Sequence, residues 1–431
     1  MLKDRDLLKS IIKFLCSLNP EIVAQAPSRI NLINPLDAVE GAFWMPSVAV
    51  NGRENPLSAF FYIKKRTNTS RIKFYEVRKD LNKYNFKIEY EEAIDKDLKE
   101  VKNNFTGKLK LFYASLYRFY KTNSVFWDRF LKENLEIGVL TTIPKHSGLG
   151  GSTAIIISIL YGFSKYFNLY NNISNIKDTD FPINKDIIAE MATKIEDEDL
   201  KITAGYSDRY VISRGGLCFC SYYGKLFHKE LSMEPLAIYD RIDNTYNISK
   251  LPIIVCFSGI HHESGDVHCK LRNKYLQNDP KILNYYEKLS ELAWKSRFAL
   301  MSQNWKLLGK YFEENTNIMN LVMREAGFEY GIGAVNNILI KLVKDHPDVY
   351  AAKLTGAGGG GSVFALVNPS NIEGVLSDWK KKLNEIVRNE NSFKSKFPSY
   401  PLTIRSQIKN AEFFRIEINQ SGVSTLKIFD K

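Results

Sequence analysis

Two periodicities of apolar residues run along the chain and predict two kinds of element. Runs rich in β-branched and aromatic residues predict strands at 57–67, 71–77, 135–144, 215–223, 251–259 and 411–419. Apolar residues at helical spacing predict helices at 1–18, 108–122, 153–169, 185–200, 281–325 and 334–346. Residues 21–51 contain a turn-rich segment, "APSRINLINPLDAVEGAF", and residues 79–104, rich in Lys, Asn and Glu, predict an exposed excursion. Apolar segments therefore occur along the whole chain, which predicts a sizeable core.

The length of the chain bounds its organisation. Its 431 residues suffice for two or three domains, and two is the expected number. We place the boundary at 225–250, which gives predicted domains at 1–235 and 236–431. The uninterrupted apolar stretches, such as Ala154–Ile157, are far shorter than the roughly 20 residues that a membrane span needs. The charged N-terminal segment does not resemble a secretory signal, so no membrane partner is expected.

Cysteine spacing and charge narrow the possible partners. The five cysteines are scattered without a CxxC pair or a zinc-binding spacing, which predicts reduced thiols in a cytoplasmic protein. The net charge of +12 raises the possibility of nucleic-acid binding, but the lysines are dispersed and no dense basic run contains interleaved aromatic residues. A basic surface can equally attract anionic small molecules. We therefore expect a small-molecule partner and no nucleic acid.

A glycine-rich segment in front of an apolar run is the most informative stretch of the chain. It reads "IPKHSGLGGSTAIII" at Ile143–Ile157. Glycines allow close approach of the backbone to a ligand, and the free N–H groups at a helix N-terminus attract phosphate. Ser152 and Thr153 lie in the predicted first turn, where a hydroxyl can cap the helix or reach a phosphate-bound Mg²⁺. The residues alone leave two alternatives open, a phosphate-binding loop or a strand-to-helix turn with a serine cap.

A second glycine-rich loop, "GAGGGG" at Gly356–Gly361, formally matches GxGxxG. A dinucleotide-binding fingerprint must open a helix, whereas the next residues, "SVFALVN", alternate and predict a strand. The context therefore excludes the Rossmann interpretation. The Walker A sequence GxxxxGK[ST] occurs nowhere in the chain, so a nucleotide site would use neither of the two commonest folds.

Three segments follow one another along the chain at wide spacing. They read "APSRINL", "PKHSGLGGSTA" and "KLTGAGGGGSVFAL". Together they resemble the motifs of the GHMP kinase superfamily, which includes galactokinase, homoserine kinase, mevalonate kinase and phosphomevalonate kinase. The resemblance implies an α+β fold of two domains, an N-terminal nucleotide and substrate domain and a C-terminal ferredoxin-like α/β sandwich. It also implies an active site between the two domains, with ATP and Mg²⁺ as cofactors.

Further stretches resemble glucuronokinases within this superfamily. They read "NPLDAVEG" at Asn34–Gly41, "TAGYSDRYVISRGGLCF" at Thr203–Phe219 and "SGDVHCKLR" at Ser264–Arg272. Bacterial heptose kinases share the middle glycine motif and an Asp followed by an aromatic residue. Ile33 and Leu36 depart from the pattern at the sugar end of the site. The resemblance therefore supports the assignment as a kinase more strongly than the identity of the acceptor.

The resemblance implies a role for several charged residues. It maps the catalytic aspartate, a base for the acceptor hydroxyl, onto Asp208. Glu196 matches the metal-binding glutamate and, with the hydroxyl of Ser152, would supply hard oxygen ligands for Mg²⁺. Arg29 matches the basic position of the first motif, where a guanidinium can stabilise the transferring group and lower the pKa of Asp208. The structural alternatives are a capping aspartate, a solvated acidic run and an ordinary salt bridge.

The remaining predicted contacts divide between ATP and the acceptor. The ATP-binding residues that the two glycine motifs imply are Gly148, Leu149, Gly150, Gly151, Ser152, Thr153, Gly356, Gly358 and Gly359. The predicted acceptor contacts are Asn34, Asp37, Arg209 and Arg272. Either arginine can hold a uronate carboxylate by a bidentate fork. The sequence His261-His262-Glu263 lacks the spacing that a metal site on a helix needs. His268 and Arg272, at i and i+4, are expected to face the acceptor.

The resemblance implies an ATP- and Mg²⁺-dependent kinase that phosphorylates a sugar hydroxyl, with the anomeric hydroxyl of glucuronate as the first candidate. Acceptors of the heptose, galactose or mevalonate type are the alternatives. A non-catalytic regulator that binds sugar and ATP on the same fold is an alternative from a different class. The presence of both Asp208 and Glu196 argues against a regulator, because a sensor needs neither a base nor a metal ligand.

Overall fold

The computed structural model describes residues 5–33, 41–80, 83–170, 183–224, 230–232, 236–260 and 264–427. The helices are α1 (Arg5–Leu18), α2 (Leu98–Asn103), α3 (Lys110–Thr122), α4 (Ser124–Lys132), α5 (Gly151–Tyr166), α6 (Lys185–Lys194), α7 (Ser207–Arg214), α8 (Ile242–Thr245), α9 (Ser264–Leu276), α10 (Pro280–Met301), α11 (Trp305–Glu325), α12 (Ala334–Lys344), α13 (Ile372–Arg388), α14 (Glu390–Lys396) and α15 (Ile404–Ile408). No helix in these ranges is both long enough and apolar enough to cross a bilayer.

The strands form one connected sheet. They are β1 (Ile22–Asn31), β2 (Gly41–Gly52), β3 (Ser58–Lys65), β4 (Arg71–Asp80), β5 (Lys83–Ala93), β6 (Leu135–Thr141), β7 (Leu217–Gly224), β8 (Ile238–Arg241), β9 (Ile253–Phe257), β10 (Val349–Thr355), β11 (Ser362–Val367), β12 (Glu412–Ile418) and β13 (Ser424–Thr425). The main order is β10–β11–β9–β12–β2–β1–β3–β6–β4–β5, with β13 beside β1, β7 beside β2, and β8 beside β7.

The C-terminal half has the arrangement that the resemblance implied. Its strands stand in the order β12–β9–β11–β10, so the last strand lies beside the first and the third lies between the first and the second. Helices α11 and α12 pack on β10, and α13 packs on β9. This is the ferredoxin-like arrangement of a split βαβ unit, and the predicted α+β fold is confirmed.

Strand β12 joins the two halves. It pairs with β9 on one side and with β2 on the other, where Ile416 stands opposite Gly52 and Ile418 opposite Val50. The main cluster of buried apolar side chains also extends through both halves. The sheet therefore fixes the end of β1 in relation to the loop between β10 and β11.

Helix α5 is the buried helix that the apolar run predicted. It packs on β1 and β3, and eleven of its 16 residues are buried. Gly162 makes this close packing possible, because a Cβ there would lie 2.3 Å from Cδ1 of Phe61. The packing places the N-terminus of α5 beside the end of β1.

Two segments contain more regular structure than their composition predicts. The turn-rich segment within 21–51 includes the end of β1 and the start of β2, and each of these strands contains a proline. Pro27 stands opposite Ser58 of β3, and Pro46 stands opposite Phe219 of β7. The stretch at 79–104 is largely exposed, as predicted, but it contains β5 and α2. Tertiary pairing therefore overrides the unfavourable composition of these segments.

Candidate active site

The site begins where β1 passes the first glycine loop. The backbone N–H of Arg29 donates to the carbonyl of Leu149 (3.2 Å), and the hydroxyl of Ser28 donates to the same carbonyl (2.9 Å). The Arg29 guanidinium donates to the carbonyl of Gly148. Arg29 is thus held beside the loop through its backbone and its buried side chain.

The loop needs glycine at two positions. Gly148 and Gly150 have φ angles of 71° and 80°, which glycine adopts without strain. A Cβ on Gly150 would lie 2.9 Å from Cδ1 of Ile212 and 3.2 Å from Cγ of Arg29. Helix α5 starts directly after Gly150, and no side chain of the described residues caps it. The serine-cap alternative is therefore wrong, and the first-turn N–H groups can serve a ligand.

Asp208 lies in the first turn of α7 and is nearly buried. Its Oδ1 accepts a hydrogen bond from Nδ2 of Asn31 (2.7 Å), and its Oδ2 forms an ion pair with Arg29. Burial raises the pKa of the Asp208 carboxyl, but Arg29, Arg209 and the Asn31 hydrogen bond outweigh burial and hold that pKa well below its usual value. The predicted effect of Arg29 on Asp208 is confirmed.

Asn31 is a site residue that the sequence analysis missed. The Ser47 hydroxyl donates to Oδ1 of Asn31 (2.7 Å), which turns the amide nitrogen towards Asp208. The Asn31 backbone N–H donates to Oγ1 of Thr355 in the C-terminal half (3.1 Å). A signal was present, because Asn31 follows Arg29 by two positions in a strand and both side chains share one face.

Glu196 lies in a π-helical turn, Ile195–Asp199, that continues α6, and its exposed fraction is 2%. Its carboxylate accepts hydrogen bonds from the hydroxyls of Ser152 (2.9 Å) and Thr153 (3.2 Å). It also accepts a hydrogen bond from Nε of Arg209 (2.9 Å). The structure therefore brings together Ser152 and Glu196, the two predicted metal ligands.

The two arginines predicted to contact a substrate carboxylate are both paired within the chain. Arg272 donates to Oδ1 of Asp197 (2.9 Å). Arg209 pairs with Glu196, and its Nη1 lies 3.7 Å from Oδ2 of Asp208. The result is a buried row of alternating charges, in the order Glu196, Arg209, Asp208 and Arg29. A contact of Arg209 or Arg272 with a substrate stays a prediction.

A cleft of about 670 Å³ lies between the two halves. Its wall includes Asp208, Glu196, the first turn of α5, His268 of α9 and the loop after β10. The two glycine loops touch, since a Cβ on Gly356 would lie 3.1 Å from the carbonyl oxygen of Gly148. The Ser362 hydroxyl also donates to the carbonyl of Ser147 (2.7 Å). The two glycine loops are therefore in direct contact.

Most of the residues predicted to bind ATP line this cleft. They are Gly148, Gly150, Gly151, Ser152, Thr153, Gly356 and Gly358. Leu149 is buried behind the wall, where its carbonyl receives Ser28 and Arg29. Gly359 turns away and donates its N–H to the carbonyl of Ile332 (2.7 Å). Asn34 and Asp37 lie outside the described residues.

The donors in the cleft fit an anion. Nε of Arg29 and Oγ of Ser147 are buried and have no hydrogen-bond partner within the described ranges. Buried donors normally have partners, and these two stand in the same wall as the uncapped end of α5. A polyphosphate would satisfy all of them. The hard oxygens of Ser152 and Glu196 suit Mg²⁺, which takes one or two protein ligands besides phosphate and water.

Family models match both halves of the chain. A model described as "GHMP kinases N terminal domain" matches residues 112–216, and one described as "GHMP kinases C terminal" matches residues 297–385. The first match contains the loop before α5, Glu196 and Asp208, and the second ends within α13.

The curated relatives that match this chain have low sequence identity to it. A D-glycero-alpha-D-manno-heptose 7-phosphate kinase of Campylobacter jejuni is 27% identical over 282 residues, which are 64% of this chain and 72% of that protein. Glucuronokinase 1 of Arabidopsis thaliana is 28% identical over 255 residues, 58% of this chain and 62% of that protein. The match thus spans less than two thirds of the glucuronokinase.

Solved structures share the fold over nearly the whole chain. Lactococcus lactis galactokinase complexed with galactose has a TM-score of 0.62 at 15% identity, covering 97% of this chain and 100% of that one. Methanococcus jannaschii mevalonate kinase has a TM-score of 0.56 at 18% identity, covering 92% and 98%. At such identities the likeness concerns the fold alone.

Proposed function

The chain belongs to the GHMP kinase superfamily, and we propose that it transfers the γ-phosphoryl group of ATP to a sugar hydroxyl in a Mg²⁺-dependent reaction. The preferred acceptor is the anomeric hydroxyl of glucuronate. One observation carries the proposal. Asp208, held ionised by Arg29 and Asn31, stands in the same cleft wall as the uncapped end of α5 and the two glycine loops.

Phosphoryl transfer depends mainly on positioning and on stabilising charge. In the proposed reaction the N–H groups at the start of α5 bind the phosphates, and Nε of Arg29 donates to the transferring group. When bound, Mg²⁺ neutralises phosphate charge beside Ser152 and Glu196. Because Arg209 pairs with Glu196, this guanidinium has to share or release the carboxylate.

Asp208 acts on the acceptor in this proposal. An ionised carboxylate accepts a hydrogen bond from the reacting hydroxyl and aims its oxygen at the phosphorus. The low pKa of Asp208 makes it a weak base at the start of the reaction. Asp208 therefore receives the proton late, when the hydroxyl becomes acidic as its bond to phosphorus forms.

The choice of glucuronate rests on the stretches around Asp208 and His268 and on the relatives in Arabidopsis. A heptose phosphate is the second candidate, because the heptose kinase relative is matched over the larger share of its own length. A regulator that binds ATP without turnover is the candidate from a different class.

A screen of acceptors by coupled ADP release tests the proposal. The panel contains glucuronate, galacturonate, galactose, glucose, a heptose 7-phosphate, inositol and mevalonate, each with ATP and Mg²⁺. We expect the highest kcat/KM for glucuronate and a product that is a sugar 1-phosphate by ³¹P NMR. A higher value for the heptose would transfer the assignment to the second candidate. ATP binding without ADP release for any acceptor would support the regulator.

A further inference from the structure

Helix α9 presents one face to the core and a neighbouring face to the cleft. Val267 and Leu271 are fully buried at i and i+4. His268, one position after Val267, lines the cleft that also contains Asp208. Arg272, one turn after His268, donates to Asp197 (2.9 Å) and to the carbonyl of Ala204 (3.2 Å). Helix α9 is thus anchored to both halves, and His268 has a fixed place in the wall.

The Nδ1 atom of His268 is closed off from solvent and has no hydrogen-bond partner in the part of the chain that the structure describes. A buried polar atom without a partner costs free energy, and each such atom in a native protein needs an explanation. Nε of Arg29 and Oγ of Ser147, in the same wall, are also buried without a hydrogen-bond partner among the described residues. Those two atoms are donors that suit phosphate, whereas an imidazole nitrogen can also accept.

The charge state of His268 limits what it can bind. Burial is the main cause that lowers the pKa of the imidazole, Arg209, Arg272 and Arg29 act in the same direction, Asp208 opposes them, and the resulting pKa is about 4. The ring is therefore neutral at physiological pH, with one nitrogen that donates and one that accepts. A neutral ring matches a hydroxyl better than a phosphate or a carboxylate.

We propose that Nδ1 of His268 forms a hydrogen bond with a second hydroxyl of the acceptor, one that is not phosphorylated. This inference rests on the proposed function and narrows its acceptor to a polyol. The polyol would be gripped from both halves of the chain, by Asp208 at the reacting hydroxyl and by His268 at another.

Two substitutions distinguish a hydrogen bond of Nδ1 from one of Nε2 in the His268 ring. The amide of Asn at 268 reaches the place of Nδ1, and the amide of Gln reaches the place of Nε2. We expect H268A and H268Q to raise the KM for the acceptor about tenfold, the effect of one lost hydrogen bond. H268N restores the KM to within about threefold, and the KM for ATP stays within about twofold throughout. His346→Gln, on a histidine outside the cleft that accepts from the Asp348 N–H (3.1 Å), is the matched control.

Deoxy analogues of the acceptor identify the partner hydroxyl. Wild type should reject one analogue, deoxygenated away from the reacting position, about tenfold in kcat/KM. H268A should lose this discrimination at that position and keep it at the others. Equal discrimination in wild type and H268A at every position would overturn the inference, as would an unchanged acceptor KM in H268A.

Stability distinguishes a binding role from a structural one. Because Nδ1 satisfies no group among the residues that the structure describes, H268L should unfold at a Tm equal to or above that of wild type. A lower Tm together with parallel losses for ATP and acceptor would assign His268 a structural role. If wild type phosphorylates no acceptor, the proposed function fails, and titration calorimetry of the same polyols then decides the inference. Binding that weakens in H268A supports it, and equal or absent binding overturns it.

Discussion

At the scale of single residues, Asp208 shows how burial and charge oppose each other. Burial alone would favour a neutral carboxyl, but Arg29 and Asn31 hold the charged form and fix both oxygens. In the proposed reaction the same contacts would prepare Asp208 to accept a hydrogen bond from the acceptor hydroxyl. Asp208 and Arg29 therefore work as a pair. Removal of Asp208 takes away the ion-pair partner of Arg29, whereas removal of Arg29 leaves Asp208 with Asn31 and with Arg209, 3.7 Å away.

Replacement of Asp208 by Asn tests this pair. We expect D208N to lower kcat by about 10²–10⁴-fold, the usual contribution of a positioned acid–base group. ATP affinity should stay the same or rise, because Arg29 then carries an unpaired positive charge beside the phosphate loop. Steady-state kinetics and calorimetric ATP titration measure both quantities. Asp345→Asn, at an exposed position after α12, is the control, and undiminished turnover in D208N would refute the assignment.

The pKa values of two cleft residues predict a stepwise loss of stability in acid. An unfolded His has a pKa of about 6.5, whereas burial lowers that of His268 to about 4. The unfolded state therefore binds more protons between these values, and stability falls as pH drops from about 6.5 to 4. Protonation of Asp208 causes a second loss of stability, which begins below the usual carboxyl pKa of about 3.9.

Urea unfolding from pH 7 to pH 3 resolves the two steps. H268L should remove the first loss and leave the second, while D208N should do the reverse. A stability curve for H268L that stays parallel to wild type between pH 6.5 and 4 would contradict the role of burial at His268.

Arg209 gives a prediction about the metal site. Its guanidinium neutralises Glu196 in the ligand-free protein. R209Q leaves this buried carboxylate without a cation, so we expect Mg²⁺ alone to raise the Tm of R209Q and to leave that of wild type unchanged. Thermal unfolding with and without Mg²⁺ measures the difference. R214Q, at the other end of α7 where Arg214 pairs with Asp186, is the matched control. Equal shifts in R209Q and R214Q would rule out Glu196 as a ligand.

At the scale of elements, the geometry of the candidate site depends on the junction between the glycine loop and α5. Gly150 combines a φ of 80° with close contact to Ile212 and Arg29. Alanine there costs about 1–2 kcal/mol for the left-handed backbone alone, and its Cβ displaces Arg29. We expect G150A to raise the KM for ATP at least tenfold.

The control for G150A is G107A. Gly107 has a φ of −76°, and a Cβ there would meet its nearest atom, the carbonyl oxygen of Asn104, at 3.6 Å. Steady-state kinetics should show an unchanged KM for ATP in G107A. An unchanged KM in G150A as well would show that the loop does not bind phosphate.

Elements with strong periodic patterns were predictable, and those that depend on partners were not. The apolar run of α5 was sufficient to predict a helix, and the alternating apolar residues of β12 were sufficient to predict a strand. Strand β5 also alternates, with Tyr84, Phe86 and Ile88 between polar residues, but its lysines and glutamates hid the pattern. Its pairing with β4 and the stacking of Phe86 on Phe14 (centroids 4.3 Å apart) make it a strand.

The site followed the same rule. Motifs located Arg29, Glu196 and Asp208, since each lies in a segment with its own signature. Asn31 and the pairing of Arg209 with Glu196 depend on how β1, α6 and α7 meet in space. No spacing along one chain states which side chains from three elements will touch.

At the scale of the whole molecule, the shared sheet and shared core couple the two halves. We therefore expect one cooperative unfolding transition. Variants that retain only Trp127, in the N-terminal half, or only Trp379, in the C-terminal half, should report the same urea midpoint. E417P removes a donor from the pairing of β12 with β2, because the hydrogen bonds from Arg53 to Arg415 and from Asn419 to Ala49 make Glu417 and Asn51 the hydrogen-bonded pair between them. It should separate the two midpoints. Separate midpoints without E417P would show that the halves unfold independently.

The late position of β12 along the chain has a consequence for synthesis. The edges of β2 and β9 that β12 covers emerge from the ribosome long before β12 does. During that interval a growing chain displays two unpaired strand edges, which are templates for association with other chains. Slow translation or a shortage of chaperones should therefore cause aggregation before it impairs catalysis.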